Sequence, residues 1–228
     1  MSDFSDLEQK GFALAQIFQN MGNALKPADL ESGWFYHLII DLMKASLLAY
    51  ERLASYYVRH EYHLLSGACR NLLELAIITK YVLLSEADAR KFCEDRLIDG
   101  VELLTALKKL ELYYDPQCET SNLDLALKNF EDQMAAENVA MRKHLDLKDL
   151  AAKVGMTDEY LSINRVCSKL VHGCAWSVMA VNEEINSFPD GRDLYMGTGI
   201  MFLSMVHIAI REHEAAHGIR PLKAPVLP

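Results

Sequence analysis

The stretch that decides the fold is Tyr160–Ser177, YLSINRVCSKLVHGCAWS, because its apolar and polar residues separate onto two sides of a helix. One side is apolar and wide enough to line a core. It comprises Ile163, Val166, Cys167, Leu170, Val171, Cys174 and, just beyond the stretch, Val178. The opposite side carries Arg165, Ser168 and His172, and seven residues, or two turns, separate Arg165 from His172. This pattern predicts an amphipathic helix that packs on a core and keeps a polar face.

A second stretch, residues 64–84, is apolar nearly throughout, which is typical of a helix buried on most sides. Its main exceptions are Arg70 and Glu74, which stand four residues apart on one face, and His63 falls on the same face. Arg70 and Glu74 are either a structural ion pair inside the fold or one wall of a polar pocket. A buried ion pair adds little net stability, because desolvation offsets most of the attraction, and this favours a functional reason for the two charges.

The rest of the chain also has helical periodicity, and no run of strand length alternates between apolar and polar residues. The expected helices cover 5–24, 33–59, 60–84, 86–113, 123–141, 160–179 and 193–217, with a short helical turn at 148–154. We predict an all-α fold, a single bundle of about six to seven helices. Residues 1–217 form one helical domain, and 218–228 form an extended Pro-rich C-terminal tail.

Composition narrows the classes of function. Hydrophobic residues make up 51% of the chain, and 32 acids against 23 Lys and Arg give a net charge of −9. Such acidity excludes a surface coated for broad phosphate binding but allows one local basic site. The five cysteines include no CxxC pair, which is typical of free thiols in a reducing compartment. Without a visible signal peptide or an uncharged membrane-spanning stretch, the expected location is the cytoplasm, with no membrane partner.

The sharpest motif match is His213-Glu214-Ala-Ala-His217, the HExxH pattern of zinc proteases. A catalytic zinc needs a third protein ligand. No His, Asp, Glu or Cys follows His217 before the chain ends, and charged Glu212 stands where the motif usually has an uncharged residue. We therefore predict no metal here and no cofactor elsewhere.

Arg165 and His172, with six residues between them, resemble the R-x4–6-H motif of the HEPN superfamily. Its members are all-helical proteins that include metal-independent ribonucleases and nucleotide-handling partners of toxin systems. The resemblance implies an up-down helical core, and a homodimer in which arginine and histidine cluster across the interface and act on an RNA phosphodiester. One departure is Val166, since a polar residue usually follows the arginine in that superfamily.

A second resemblance covers more of the chain, about residues 35–215. ACRNLLELAIITKYVL at 68–83 and YLSINRVCSKLVHG at 160–173 resemble a bacterial helical family of unknown function, with an R-x3-E helix followed by a Y…S…HG helix. The resemblance implies functional roles for Arg70, Glu74, Tyr160, Ser168 and His172.

Together these patterns give one geometric hypothesis, in which His63, Arg70 and Glu74 of the third helix face Arg165, Ser168 and His172 across an inter-helix pocket. Two classes of function remain. In the first, Arg165, His172 and Ser168 make the protein a metal-independent endoribonuclease, or the pocket binds RNA or a nucleotide. In the second, the protein is a non-enzymatic module that binds a small ligand or another protein, for example as an accessory of a defence or toxin system.

Overall fold

The computed structural model describes residues 9–17, 20, 33–171 and 189–217. Eight helical segments run through this part of the chain, and it contains no strand. They are α1 (9–17), α2 (Gly33–Arg59), α3 (Tyr62–Val82), α4 (Glu86–Tyr114), α5 (Ser121–Ala136), α6 (Leu147–Lys153), α7 (Thr157–Val171) and α8 (Pro189–Ala216). The predicted all-α class is confirmed. The predicted number of six to seven helices is too low, because the turn expected at 148–154 is a helix in its own right.

The helices form two compact units, one of α1–α3 with α6–α8 and the other of α4 and α5. The extent of the single domain predicted over 1–217 and the HEPN-like core both stay predictions. Residues 218–228, the expected extended tail, lie outside the described part of the chain.

In the first unit, α3 is the central helix and packs against α2, α6, α7 and α8. Most of its apolar side chains are removed from water, as the sequence indicated, although Leu64 in the first turn is 50% exposed. The fully buried residues are Leu65, Cys69, Leu72, Leu73, Ala76, Ile77 and Val82. The helix begins at Tyr62 and not at His60 as predicted, because His60 takes a left-handed backbone conformation with φ 60°.

The last helix, α8, begins four residues earlier than predicted. Pro189 lies at its first position, where a missing N–H costs no hydrogen bond and the fixed φ suits a helix. By length and composition, 191–216 could cross a membrane. Its most apolar part is 44% buried, and Phe202, Leu203 and Val206 are completely buried. A core helix of a folded domain has these properties too.

A polar cluster connects the start of α8 to the end of α2. The Tyr57 hydroxyl donates to Asp193 Oδ1 at 2.6 Å, and the Arg192 guanidinium lies 4.4 Å above the Tyr57 ring. Arg192 Nη1 also bonds His60 Nδ1 at 2.8 Å. Burial and the bond to Asp193 together raise the pKa of Tyr57 to about 12. The hydroxyl is therefore a donor throughout the physiological range, which fixes the register of the two helices.

The second unit is a helical hairpin whose first helix begins at a predicted cap. Ser85 Oγ accepts from the Asp88 backbone N–H at 3.1 Å, as its sequence context indicated. The small core is formed by Leu97, Ile98 and Met134, flanked by Val101, Phe130 and Val139. The helix predicted to reach Met141 ends at Ala136, because Asn138 turns left-handed with φ 56°.

Candidate functional site

Helix α3 holds Arg70 and Glu74 one turn apart, and their side chains meet. Arg70 Nε donates to Glu74 Oε1 at 2.9 Å, and each side chain is 31% exposed. The neighbouring residues Cys69, Leu72 and Leu73 are completely buried, so the ion pair lies at the margin of the core. Neither charge is fully desolvated, and the guanidinium keeps further N–H donors on Nη1 and Nη2.

A pair of buried thiols connects α3 to α7 beside this ion pair. Cys69 on α3 and Cys167 on α7 are both completely buried. Interaction with the Cys69 side chain lowers the pKa of Cys167, and the charge of Arg70 adds to that effect against the opposing effect of burial. Interaction with Cys167 and burial raise the pKa of Cys69. Arg70 therefore lies close enough to α7 for its charge to act there.

Tyr195 on α8 is the third side chain near these sulfurs. It is 9% exposed, and burial together with the two thiols raises the pKa of its hydroxyl well above its usual range. Sequence reasoning placed Cys167 on the apolar face of its helix, which is where it lies. It did not indicate that Cys69 and Tyr195 influence the same thiol, since no local pattern joins residues from three helices.

Helix α7 presents the predicted polar residues on its outer side. Arg165 is exposed, and Ser168 Oγ donates to the Arg165 carbonyl at 3.1 Å, a bond within the helix. Tyr160 is half-buried, and so is Asn164, whose Oδ1 is buried with no hydrogen-bond partner within the described ranges. Val166 was expected in the core but is 44% exposed. It lies about 100° around the helix from Cys167, at the edge of the buried face.

The other predicted residues are placed as follows. His63 is exposed in the first turn of α3, seven residues before Arg70. His172 lies outside the described residues. Across 33–171 and 189–217, no hydrogen bond joins Arg70 or Glu74 to Arg165 or Ser168. The shared pocket and the roles assigned to these residues stay predictions.

The HExxH residues each have a structural partner. Glu214 is 5% exposed and accepts from Arg211 Nη1 at 3.2 Å, while His217 Nδ1 lies 2.9 Å from the His213 carbonyl of its own helix. The His213 ring packs 5.4 Å from the ring of Phe35. Packing and hydrogen bonds at the end of α8 therefore account for all three residues of the motif.

Within the described part of the chain, one group of side chains has the spacing of a metal site. Asp99, Glu102 and His144 are exposed residues of the second unit, and their ligand atoms lie within 4.8 Å of one another. Sequence reasoning missed the group, because His144 follows Glu102 by 42 residues. Exposed carboxylates gather in this way without a metal, so we assign none.

Comparison with known proteins places this geometry in a family. A family model described as "Family of unknown function (DUF5677)" matches residues 66–187, more than half of the 228 residues. The chain belongs to this family. The DUF5677 match covers α7 and all but the first four residues of α3, so it leaves His63 outside. It includes Arg70, Glu74, Tyr160, Arg165, Ser168 and His172.

The expected membership of an uncharacterised helical family is thus confirmed. The search of curated proteins found no match to the chain, and the search of solved structures found none either. The relationship of this DUF5677 member to the HEPN superfamily stays a prediction.

Proposed function

We propose that the α3–α7 junction is a phosphate-binding site for RNA or a nucleotide, and that Arg165 and His172 cleave RNA there without a metal. The observation that supports the proposal is the direct packing of α3 against α7, because it brings a half-buried cation, Arg70, and an exposed cation, Arg165, onto neighbouring helices.

The residue types suit this chemistry. A guanidinium binds a phosphate through two parallel N–H bonds, and Glu74 orients the Arg70 guanidinium through Nε. Arg165 is exposed and so is accessible to a phosphodiester. In the sequence-based interpretation, His172 is the general acid or base, since its proton exchanges near neutral pH. Ser168 and Tyr160 supply hydroxyls on the same helix. The net charge of −9 confines binding to this local site.

The test of cleavage is a time course with 5′-fluorescent single-stranded RNA in the presence of EDTA. We expect the wild-type protein to shorten the RNA, and His172→Ala to lower the rate about 100-fold or more, the effect of losing a general acid or base. Arg96→Ala removes an exposed arginine of the second unit and is the matched control for Arg165→Ala. Intact RNA after incubation with the folded wild-type protein would exclude the enzymatic part of the proposal.

A second candidate is a non-enzymatic interaction module, and an apolar stripe on α4 favours it. Leu103, Leu107, Leu110 and Tyr114 are 60%, 40%, 51% and 78% exposed. Their 4-3-4 spacing is that of a helix that pairs with another helix. We propose a second copy of this chain as the occupant, in keeping with the expected homodimer.

Light scattering coupled to gel filtration tests this candidate. Leu107→Glu should convert a dimer to a monomer, whereas Leu48→Glu, at a position on α2 that is 48% exposed against 40% for Leu107, should not. A wild-type protein that is monomeric at high concentration would exclude it.

The proposed location is the cytoplasm, without a membrane partner. Cys69, Cys93, Cys118 and Cys167 are free thiols in the described part of the chain, and reducing compartments keep thiols in that form.

A further inference from the structure

We propose that the Arg70–Glu74 pair on α3 recognises the ribose of its ligand, with Arg70 binding a phosphate and Glu74 Oε2 accepting a hydrogen bond from the adjacent 2′-hydroxyl. The pair thus selects ribonucleotides over deoxyribonucleotides. This inference rests on the proposed function, because it assigns the kind of sugar to the phosphate site at the α3–α7 junction.

The geometry that supports the proposal is the single hydrogen bond within this ion pair. An arginine and a carboxylate can form two parallel N–H···O bonds, which occupy both carboxylate oxygens. Here the pair has one bond, from Arg70 Nε to Glu74 Oε1 at 2.9 Å. Within the described ranges, Glu74 Oε2 and the two Nη atoms of Arg70 have no hydrogen-bond partner. One acceptor and two donor groups are therefore open beside each other.

The pair lies where a ligand can reach it. Each side chain is partly exposed, whereas Cys69, Leu72 and Leu73 beside them are completely buried. These buried neighbours fix the rotation of α3 and keep the two charges at the edge of the core. The bond to Glu74 also holds the Arg70 guanidinium in place, so that less conformational freedom is lost when a phosphate binds.

The open groups match a ribose that carries a phosphate. In RNA, the 2′-hydroxyl and the 3′-phosphate are attached to neighbouring carbons of the same ribose. A guanidinium binds phosphate through its N–H groups, and an ionised carboxylate accepts from a hydroxyl. Because Arg70 and Glu74 are already bonded, one ribose with its phosphate can engage both side chains. The 2′-hydroxyl is also the group by which a protein distinguishes RNA from DNA at a given site.

Charge explains why a ligand without the 2′-hydroxyl should bind poorly. A phosphate that approaches Arg70 also meets the negative charge of Glu74. A ribonucleotide offsets this repulsion by donating a hydrogen bond to the carboxylate. A deoxyribonucleotide leaves the carboxylate facing the phosphate without a donor, and an unpaired polar group of this kind lowers affinity.

The experiment compares three fluorescent oligonucleotides of one sequence, made of adenine and cytosine only: RNA, DNA and 2′-fluoro RNA. Without thymine or uracil, the sugar is the one difference between them. The 2′-fluoro sugar keeps an RNA-like conformation but cannot donate a hydrogen bond. Fluorescence anisotropy with the full-length protein should show RNA binding about tenfold more tightly than the other two, the effect of one hydrogen bond to a charged group. Each affinity is also measured with His172→Ala, which should leave the RNA uncut.

Glu74→Ala should abolish this preference, because it removes the acceptor. The readout is the ratio of the RNA and DNA affinities, since a less ordered Arg70 lowers both affinities together. Glu86→Ala breaks the corresponding i, i+4 ion pair with Arg90 on α4 and is the matched control, which should keep the full preference.

Unlabelled adenosine 3′-monophosphate, added as a competitor, distinguishes a free nucleotide from an RNA chain as the ligand. Displacement of RNA by this nucleotide, and not by its 2′-deoxy analogue, shows that one nucleotide is sufficient. Displacement by neither, with the preference for RNA intact, shows that the site needs the chain. Both results agree with the proposal, and equal displacement by the two nucleotides contradicts it.

The outcomes separate this inference from the proposed function. If RNA binds and Arg70→Gln weakens the binding, but DNA binds as tightly as RNA, the phosphate site stands and the role of Glu74 is wrong. A preference for RNA that survives Glu74→Ala also overturns the inference. Protein that binds none of the oligonucleotides contradicts both proposals.

Discussion

The packing of α8 on α2 predicts opposite effects for the same substitution at two glycines of one helix. A Cβ atom at Gly199 would lie 2.4 Å from Cδ2 of Leu53, which is completely buried, and 3.3 Å from Leu72 Cδ1. A Cβ atom at Gly197 would meet nothing within 4 Å. Both changes to alanine gain about 1 kcal/mol of helix propensity. Only Gly199→Ala also forces the core apart.

Overpacking a well-packed core costs roughly 1–3 kcal/mol. Because Leu53 is completely buried, its methyl group cannot move aside into solvent. We therefore expect overpacking at this site to cost about 3 kcal/mol of stability. Gly199→Ala should therefore lower the free energy of unfolding by about 2 kcal/mol, whereas Gly197→Ala should raise it by about 1 kcal/mol.

Urea unfolding followed by far-UV circular dichroism measures both effects, and Gly197→Ala is the control for the helix-propensity term. Equal m-values would show that the shifts in midpoint report stability alone. If the two variants are equally stable, the close approach of α8 to α2 is wrong.

Three further predictions concern stability. Tyr57→Phe removes the hydroxyl that donates to Asp193 and should lower the free energy of unfolding by about 1 kcal/mol, and urea titration would show no change if that bond contributed nothing. Arg142→Ala leaves the buried Asp95 carboxylate with the Leu145 N–H but without its cationic partner, and should cost about 3 kcal/mol, with little recovery in Arg142→Lys, whose single ammonium replaces two donors. Burial holds the pKa of His213 below its usual 6.5, so the unfolded chain binds the proton more tightly and stability should fall as the pH drops through 6.5. His213→Phe should remove part of that fall in stability, measured by unfolding curves between pH 5 and 7.5. A pH profile that is the same in the variant would contradict a lowered pKa at His213.

Helix positions were largely predictable, because local signals set them. The α2 bounds agree with the prediction at both ends, and the Ser85 cap and first-turn acids located the start of α4. Two of the errors arose where one residue adopts a left-handed conformation that its neighbours do not signal. His60 and Asn138 are both such residues, and each moved a helix end.

Burial was less predictable than helicity. Leu107 and Val166 belong to apolar faces by their spacing, yet both are more than a third exposed. The periodicity of apolar residues shows which side of a helix faces the core, but it does not show how much of that side a neighbouring helix covers. The same limit applies to the candidate site. The ion pair between Arg70 and Glu74 could be predicted, because the two residues stand four apart on one helix. The packing of α3 against α7 could not be predicted in this way, because it depends on how the two helices cross.

The most direct test of the proposed α3–α7 site is RNA binding measured by fluorescence anisotropy with a labelled single-stranded oligonucleotide. We predict that Arg70→Gln and Arg165→Ala each weaken binding about tenfold or more, since each removes a guanidinium that binds phosphate, while Arg96→Ala leaves it unchanged. Circular dichroism would establish that all three variants remain folded. Wild-type protein that does not bind, or binding that falls equally with Arg96→Ala, would contradict a local phosphate site at this junction.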